Sequence, residues 1–133
     1  MIPLKINNYN HMKILLIEDN LLNQKVVTYN LKKQNYNITT VTNGTDGINK
    51  IKNNNFDLVL MDIMLPGMNG FEITDKIREF EKSNKTNKPL IIIALTANTL
   101  NNDRDKCINA GMNDYLPKPF IAEELINIIK KFA

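Results

Sequence analysis

Three short apolar runs, each closed by an acid or a hydroxyl, constrain this chain more than any other feature. Ile14-Leu15-Leu16-Ile17 leads into Glu18-Asp19, Leu58-Val59-Leu60-Met61 into Asp62, and Leu90-Ile91-Ile92-Ile93-Ala94-Leu95 into Thr96. Such runs are too short for helices and do not alternate, which fits strands buried on both faces of a parallel sheet. A weaker strand is expected over residues 36–41, closed by Asn43-Gly44, and a short fifth near Asp114-Tyr115-Leu116.

Amphipathic stretches fill the intervals. Leu22, Val26 and Leu31 mark the inward face of a helix over residues 21–34, and Ile48 and Ile51 that of a helix over 45–53. Phe71, Thr74, Ile77 and Phe80 lie on one side of a helix over 70–81. A polar helix over 99–110 stops at Gly111, and Leu125, Ile128, Ile129 and Phe132 line a last helix over 122–132. Five strand–helix pairs predict an α/β class protein, a doubly wound (βα)5 domain. Its five-stranded parallel sheet carries helices on both faces, joined by right-handed crossovers. Residues 12–133 form this domain, residues 1–11 are a tail or linker, and residues 82–89 are a polar loop within it.

Composition agrees with one domain and narrows its partners. At 133 residues, 43% hydrophobic and 23% charged, the chain is ordinary for a globular domain. Subtracting 14 acidic from 17 basic residues leaves +3, with no Lys/Arg run longer than a pair, so nucleic acid is not expected. No apolar stretch could span a bilayer and no secretory signal is visible, so a cytoplasmic site, or the cytoplasmic portion of a larger protein, is expected and membrane contact is not. The lone Cys107 excludes an intramolecular disulfide and a Cys-x-x-Cys metal site; on a polar helix it reads as incidental. His11, in the tail, has no carboxylate partner in sequence and receives no phosphodonor role. The many Asn residues fall mostly in turns and on polar helix faces and carry no functional reading.

In open α/β sheets ligands sit beyond the carboxyl ends of the strands. Glu18, Asp19, Asp62 and Thr96 occupy such ends, and Lys118 follows the fifth strand. Carboxylates brought together repel one another unless a cation shares their charge, so Glu18, Asp19 and Asp62 predict a hard-cation site, with Mg2+ the natural occupant. Lys118 and Thr96 complete a pocket suited to the equatorial oxygens of a transferring phosphoryl group, and Asp62 is placed to become an acyl phosphate. The competing reading of a single strand-end acid is a helix cap, and Asp19 in particular could cap the helix beginning near Leu21. Four strand ends that together supply one reaction are hard to attribute to capping.

The chain resembles the receiver domain of two-component response regulators from Lys13 to about Phe132. The resemblance rests on Ile17-Glu18-Asp19-Asn20, Leu60-Met61-Asp62-Ile63-Met64-Leu65-Pro66-Gly67-Met68-Asn69-Gly70, Ala94-Leu95-Thr96-Ala97 and Ala110-Gly111-Met112-Asn113-Asp114-Tyr115-Leu116-Pro117-Lys118-Pro119. It implies a flavodoxin-like receiver fold in which Asp62 accepts a phosphoryl group from a phosphohistidine on a histidine kinase or histidine phosphotransfer protein. Asp19 holds Mg2+ directly, Glu18 through water, and the Met64 backbone carbonyl is a further ligand beside Asp62; Mn2+ is the expected substitute. Lys118 pairs with the phosphoryl oxygens and its bond to Pro119 is cis. Thr96 is the switch hydroxyl, and Tyr115 the aromatic that turns inward with it, repacking the face of the fourth helix, fifth strand and fifth helix. An ordinary rim aromatic is the competing reading of Tyr115.

Local details qualify the resemblance. The first acidic position is Glu18 rather than a second Asp. Met64 and Asn98, two residues after Asp62 and Thr96, flank the pocket, and an apolar Met64 offers no hydrogen bond to an attacking water, so slow autodephosphorylation is expected. Pro66-Gly67 makes the turn after Asp62 and Gly70 opens the next helix without a side chain near the site.

The pattern Glu18-Asp19-Asn20-x-x-Asn23-Gln24, with Asp103-Arg104-x-Lys106-Cys107, looks most like receivers of hybrid sensor histidine kinases; a stand-alone regulator is the alternative. With no output domain after Ala133, output is expected through a downstream protein target, and phosphorylation-dependent dimerisation through the last two helices stays open. As for enzymatic activity, the domain catalyses only its own phosphorylation and dephosphorylation, while a parent chain could be a kinase. A Mg2+-dependent phosphohydrolase of the haloacid-dehalogenase type needs a second acid where Met64 stands. A pseudo-receiver lacks an acid, the Thr or the Lys, and a dinucleotide-binding protein needs a Gly-x-Gly-x-x-Gly that is missing here.

Overall fold

A computed structural model describes residues 12–97 and 103–133. The apolar runs become β1 (Lys13–Ile17), β3 (Leu58–Asp62) and β4 (Ile91–Thr96), joined by β2 (Asn37–Val41) and β5 (Asp114–Pro117) in one parallel sheet of order β2-β1-β3-β4-β5. The helices are α1 (Leu21–Lys32), α2 (Gly44–Asn53), α3 (Gly70–Ser83), α4 (Asp103–Asn109) and α5 (Ala122–Lys130). From β1 the chain winds first to β2 on one side and then to β3 on the other. The crevice beyond the carboxyl ends of β1 and β3 is therefore the switch point of the sheet.

Successive strand residues point to opposite faces, which divides the core in two. Leu15, Ile17, Val59, Met61, Ile92 and Ala94 pack with Ile48 of α2 and with Ile73 and Ile77 of α3. Ile14, Leu16, Leu58, Leu60, Ile93 and Leu95 pack with Val27 and Leu31 of α1 and with Leu125 and Ile129 of α5. Asn20, Asn43 and Asn69 cap α1, α2 and α3, each accepting a backbone N–H three residues on, so three of the abundant Asn residues start helices.

The structure corrects the inward face of α1. Leu22 and Val26 are 69% and 53% exposed; Leu31 is buried as expected, and Gln24 and Val27 take the other inward positions. The Gln24 amide serves two strand ends from this inward position, donating to the Glu18 carbonyl at 2.7 Å and to the Val41 carbonyl at 3.2 Å. Cys107 is fully buried in the core beside α3, so its helix is polar on one side only. In α3 the inward positions are Ile73, Thr74 and Ile77, with Phe71 and Phe80 half-buried. Helix α5 ends at Lys130, before Phe132. Residues 1–11, with the tail and His11, and residues 98–102, with Asn98 and the expected start of the fourth helix, lie outside the described residues.

Candidate functional site

Glu18 directly follows β1, Asp62 ends β3, Thr96 ends β4 and Lys118 follows β5, so the sheet carries four of the expected residues to one edge. Asp62 pairs with Leu95, which pairs with Leu116, and Thr96 pairs with Pro117, so the hydroxyl residue lies one step and the lysine two steps beyond the Asp62 row. The Lys118 N–H donates to the Thr96 carbonyl at 2.6 Å, tying the last loop to β4, and the Lys118–Pro119 peptide is cis as expected. Thr96 is 1% exposed.

Ligand atoms of Glu18, Asp19 and Asp62 lie within 4.8 Å of one another. Glu18 and Asp62 are buried and Asp19 is exposed, so the cluster has two walls and an open mouth. The cap proposed as the alternative for Asp19 is supplied by Asn20, whose Oδ1 accepts the Asn23 N–H at 3.0 Å. The Asp19 carboxylate makes no hydrogen bond or ion pair among the described residues. The Lys118 ammonium donates to Glu18 Oε1 at 3.1 Å and lies 3.6 Å from Asp62 Oδ2. Asp62 Oδ1 accepts the Met64 N–H at 3.0 Å, which fixes its carboxylate from the loop side. Met64 itself is 72% exposed.

The loop from Asp62 to α3 is held by glycine. Gly67 has φ +81°, where side chains are strained, and a Cβ on Gly70 would meet the Ile63 Cα at 3.0 Å and the Asp62 carbonyl oxygen at 3.4 Å. Backbone, not a flexible side chain, blocks that space. Tyr115 is half-buried and packs against the α3 side of the core; no described contact brings it to the carboxylates.

Residues of α1 complete the site, although no role for them was legible from sequence. The Asn20 N–H reaches Glu18 Oε2 at 3.2 Å and Asn23 Nδ2 reaches Glu18 Oε1 at 3.2 Å. Their signal was spacing: Asn23 and Gln24 fall six and seven residues after Ile17, in the first turn of α1. An open groove of about 520 Å³ runs from Glu18 and Lys118 along Val26, Val27 and Phe120. Exposed Leu22, Val26 and Tyr29 continue this apolar surface at i, i+4 and i+7.

A donor set of three carboxylates, one ammonium and one buried hydroxyl residue suits phosphoryl chemistry with a hard cation. Comparison with known proteins gives the same reading. The family model for the response regulator receiver domain matches residues 14–130. Hybrid signal transduction histidine kinase B of Dictyostelium discoideum is 43% identical over 127 residues, covering 90% of this chain and 6% of that protein. Response regulator mcs4 of Schizosaccharomyces pombe is 36% identical over 81% of this chain, which spans 25% of it. The chain thus spans a quarter or less of these two relatives. Among solved structures, the receiver domain of Saccharomyces cerevisiae Ssk1, crystallised with the histidine phosphotransfer protein Ypd1, superposes with a TM-score of 0.87 and 34% identity. That match covers 92% of this chain and 88% of the other. The receiver of sensor histidine kinase PA1611 from Pseudomonas aeruginosa, with magnesium in its active site cleft, gives 0.80 and 40%, covering 92% and 97%. No described helix is long and apolar enough to cross a membrane. By fold, strand-end chemistry and similarity, the chain belongs to the response regulator receiver domains of two-component phosphorelay systems.

Proposed function

We propose that Asp62 is the phospho-acceptor of this receiver. The reading is carried by one observation: the Glu18, Asp19 and Asp62 carboxylates converge within 4.8 Å beside the Lys118 ammonium. An Asp62 carboxylate oxygen attacks phosphorus, the phosphorus–nitrogen bond of a phosphohistidine breaks, and the imidazole nitrogen leaves with the bonding pair. The product is an acyl phosphate on Asp62. Asp19, Asp62, the Met64 carbonyl and, through water, Glu18 would hold Mg2+, with Mn2+ as substitute. When bound, the cation supplies charge neutralisation for the phosphoryl oxygens. Lys118 pairs with those oxygens, and Thr96 is the hydroxyl that moves toward them.

The donor is a histidine kinase or histidine phosphotransfer protein, and the observation that supports a docking place is the exposed Leu22, Val26 and Tyr29 surface continuous with the mouth of the site. A movement of Thr96, followed by Tyr115, repacks the α4, β5 and α5 face, where a downstream protein or a second phosphorylated copy reads the state. Similarity to Dictyostelium hybrid kinases favours a receiver within such a kinase.

The test is incubation with Mg2+ and acetyl phosphate, or with beryllofluoride, of the wild type and Asp62→Ala. An adduct of one phosphoryl mass that requires both Asp62 and Mg2+ is expected. Absence of that adduct in the wild type overturns the reading.

A further inference from the structure

Glu18 is held by three donors. The Asn20 N–H takes Oε2, while Asn23 Nδ2 at 3.2 Å and Lys118 Nζ at 3.1 Å both take Oε1. A glutamate has one more rotatable bond than an aspartate and loses more conformational freedom when fixed, so it needs more restraint to keep one orientation. Of the two donors on Oε1, Lys118 also lies 3.6 Å from Asp62, the residue read above as the phospho-acceptor. A lysine ammonium is a flexible point donor that follows the stronger anion. Once a phosphoryl group is on Asp62, Lys118 is drawn to it and its bond to Glu18 is given up.

We propose that Asn23 is the positioning residue that keeps Glu18 oriented toward the cation when Lys118 turns to the phosphoryl group. The proposal rests on the phospho-acceptor reading of Asp62 and extends it to a residue of α1. Asn23 touches neither the phosphoryl group nor the cation; it acts through Glu18. It is half-buried, and the α1 cap uses its backbone N–H rather than its amide, so the side chain is available for this task without serving the helix start. Partners of this kind, which orient a ligand from behind, typically change metal affinity by about 10–100-fold when removed.

The experiment is a calorimetric Mg2+ titration, without and with beryllofluoride, of wild type, Asn23→Ala, Glu18→Asp and the double variant, with urea unfolding of each. Alanine is the best helix former, so Asn23→Ala is expected to fold with an unfolding midpoint close to wild type. Mg2+ affinity is expected to fall about tenfold in Asn23→Ala, and further in the presence of beryllofluoride. In Glu18→Asp the shortened carboxylate retreats from Asn23, so adding Asn23→Ala is expected to cost little more. Wild-type binding with an unchanged Asn23→Ala, or equal losses in both Glu18 backgrounds, overturns the inference alone. Failure of the wild type to bind Mg2+ overturns the phospho-acceptor reading and this inference with it.

Discussion

The Lys118 ammonium lies closer to Glu18 Oε1, at 3.1 Å, than to Asp62 Oδ2, at 3.6 Å. One cation thus bridges two buried carboxylates, and the shorter contact is to the residue that does not accept the phosphoryl group in the proposed reaction. Removal of this cation leaves an acidic cluster without its protein counter-charge. Lys118→Ala is expected to destabilise the fold by about 1.5–3 kcal/mol, the range for a lost hydrogen bond to a charged group. The roughly 3–5 kcal/mol of a broken buried pair is not reached, because the Lys118 side chain is 22% exposed. Mg2+ should raise the urea midpoint of Lys118→Ala more than that of the wild type; an equal rise in both refutes the bridging role.

Gln24 closes the ends of two strands. Gln24→Leu removes the donor to the buried Glu18 carbonyl, while the Val41 carbonyl keeps the Glu18 N–H at 3.1 Å. One orphaned acceptor costs about 1–3 kcal/mol, and urea unfolding of Gln24→Leu is expected to show a loss of that size.

Gly70 touches backbone where a side chain would stand. Gly70→Ala drives a Cβ to 3.0 Å from the Ile63 Cα. The strain is expected to destabilise by about 1–3 kcal/mol and to slow acyl phosphate formation from acetyl phosphate, since the same loop fixes Asp62 Oδ1 through the Met64 N–H. Phosphorylation at the wild-type rate would show that the loop adjusts without moving the carboxylate.

The exposed stripe of α1 separates donor recognition from chemistry. Val26→Glu and Leu22→Glu alter residues that are 53% and 69% exposed, so stability is expected to change by no more than about 0.5 kcal/mol. Transfer from a phosphorylated histidine phosphotransfer protein should slow at least tenfold while labelling by acetyl phosphate is kept. Loss of both together refutes a docking role.

Met64 is 72% exposed and has no group that orients water. The acyl phosphate is therefore expected to persist well beyond seconds after removal of the donor, and Met64→Asn to shorten its life. Loss of the phosphoryl group within seconds from purified wild type refutes this.

Sequence determined the strands, because residues buried on both sides of a parallel sheet must be apolar without interruption, and the polar residue that ends each run marks where the sheet opens to solvent. Asp62, Thr96 and Glu18 were legible for that reason, Lys118 from its place after the short fifth strand, and Gly67 and Gly70 because turn backbone demands them. Helix faces were less legible. In α1 the apolar Leu22 and Val26 point outward and the polar Gln24 inward, where its amide serves the Glu18 carbonyl and adds to the Val41 carbonyl, and a carbonyl's need is invisible in residue periodicity. The pairing of Lys118 with Glu18 across a sequence separation of 100 residues belongs to tertiary structure alone, and the reach of Asn23 to the same oxygen is set by the local path from β1 into α1. The first depends on the strand order β2-β1-β3-β4-β5, which brings the ends of distant strands to one edge, and the second on how α1 leaves β1. The local sequence supplied the chemical groups; side-chain reach across that edge decided which of them share a proton donor.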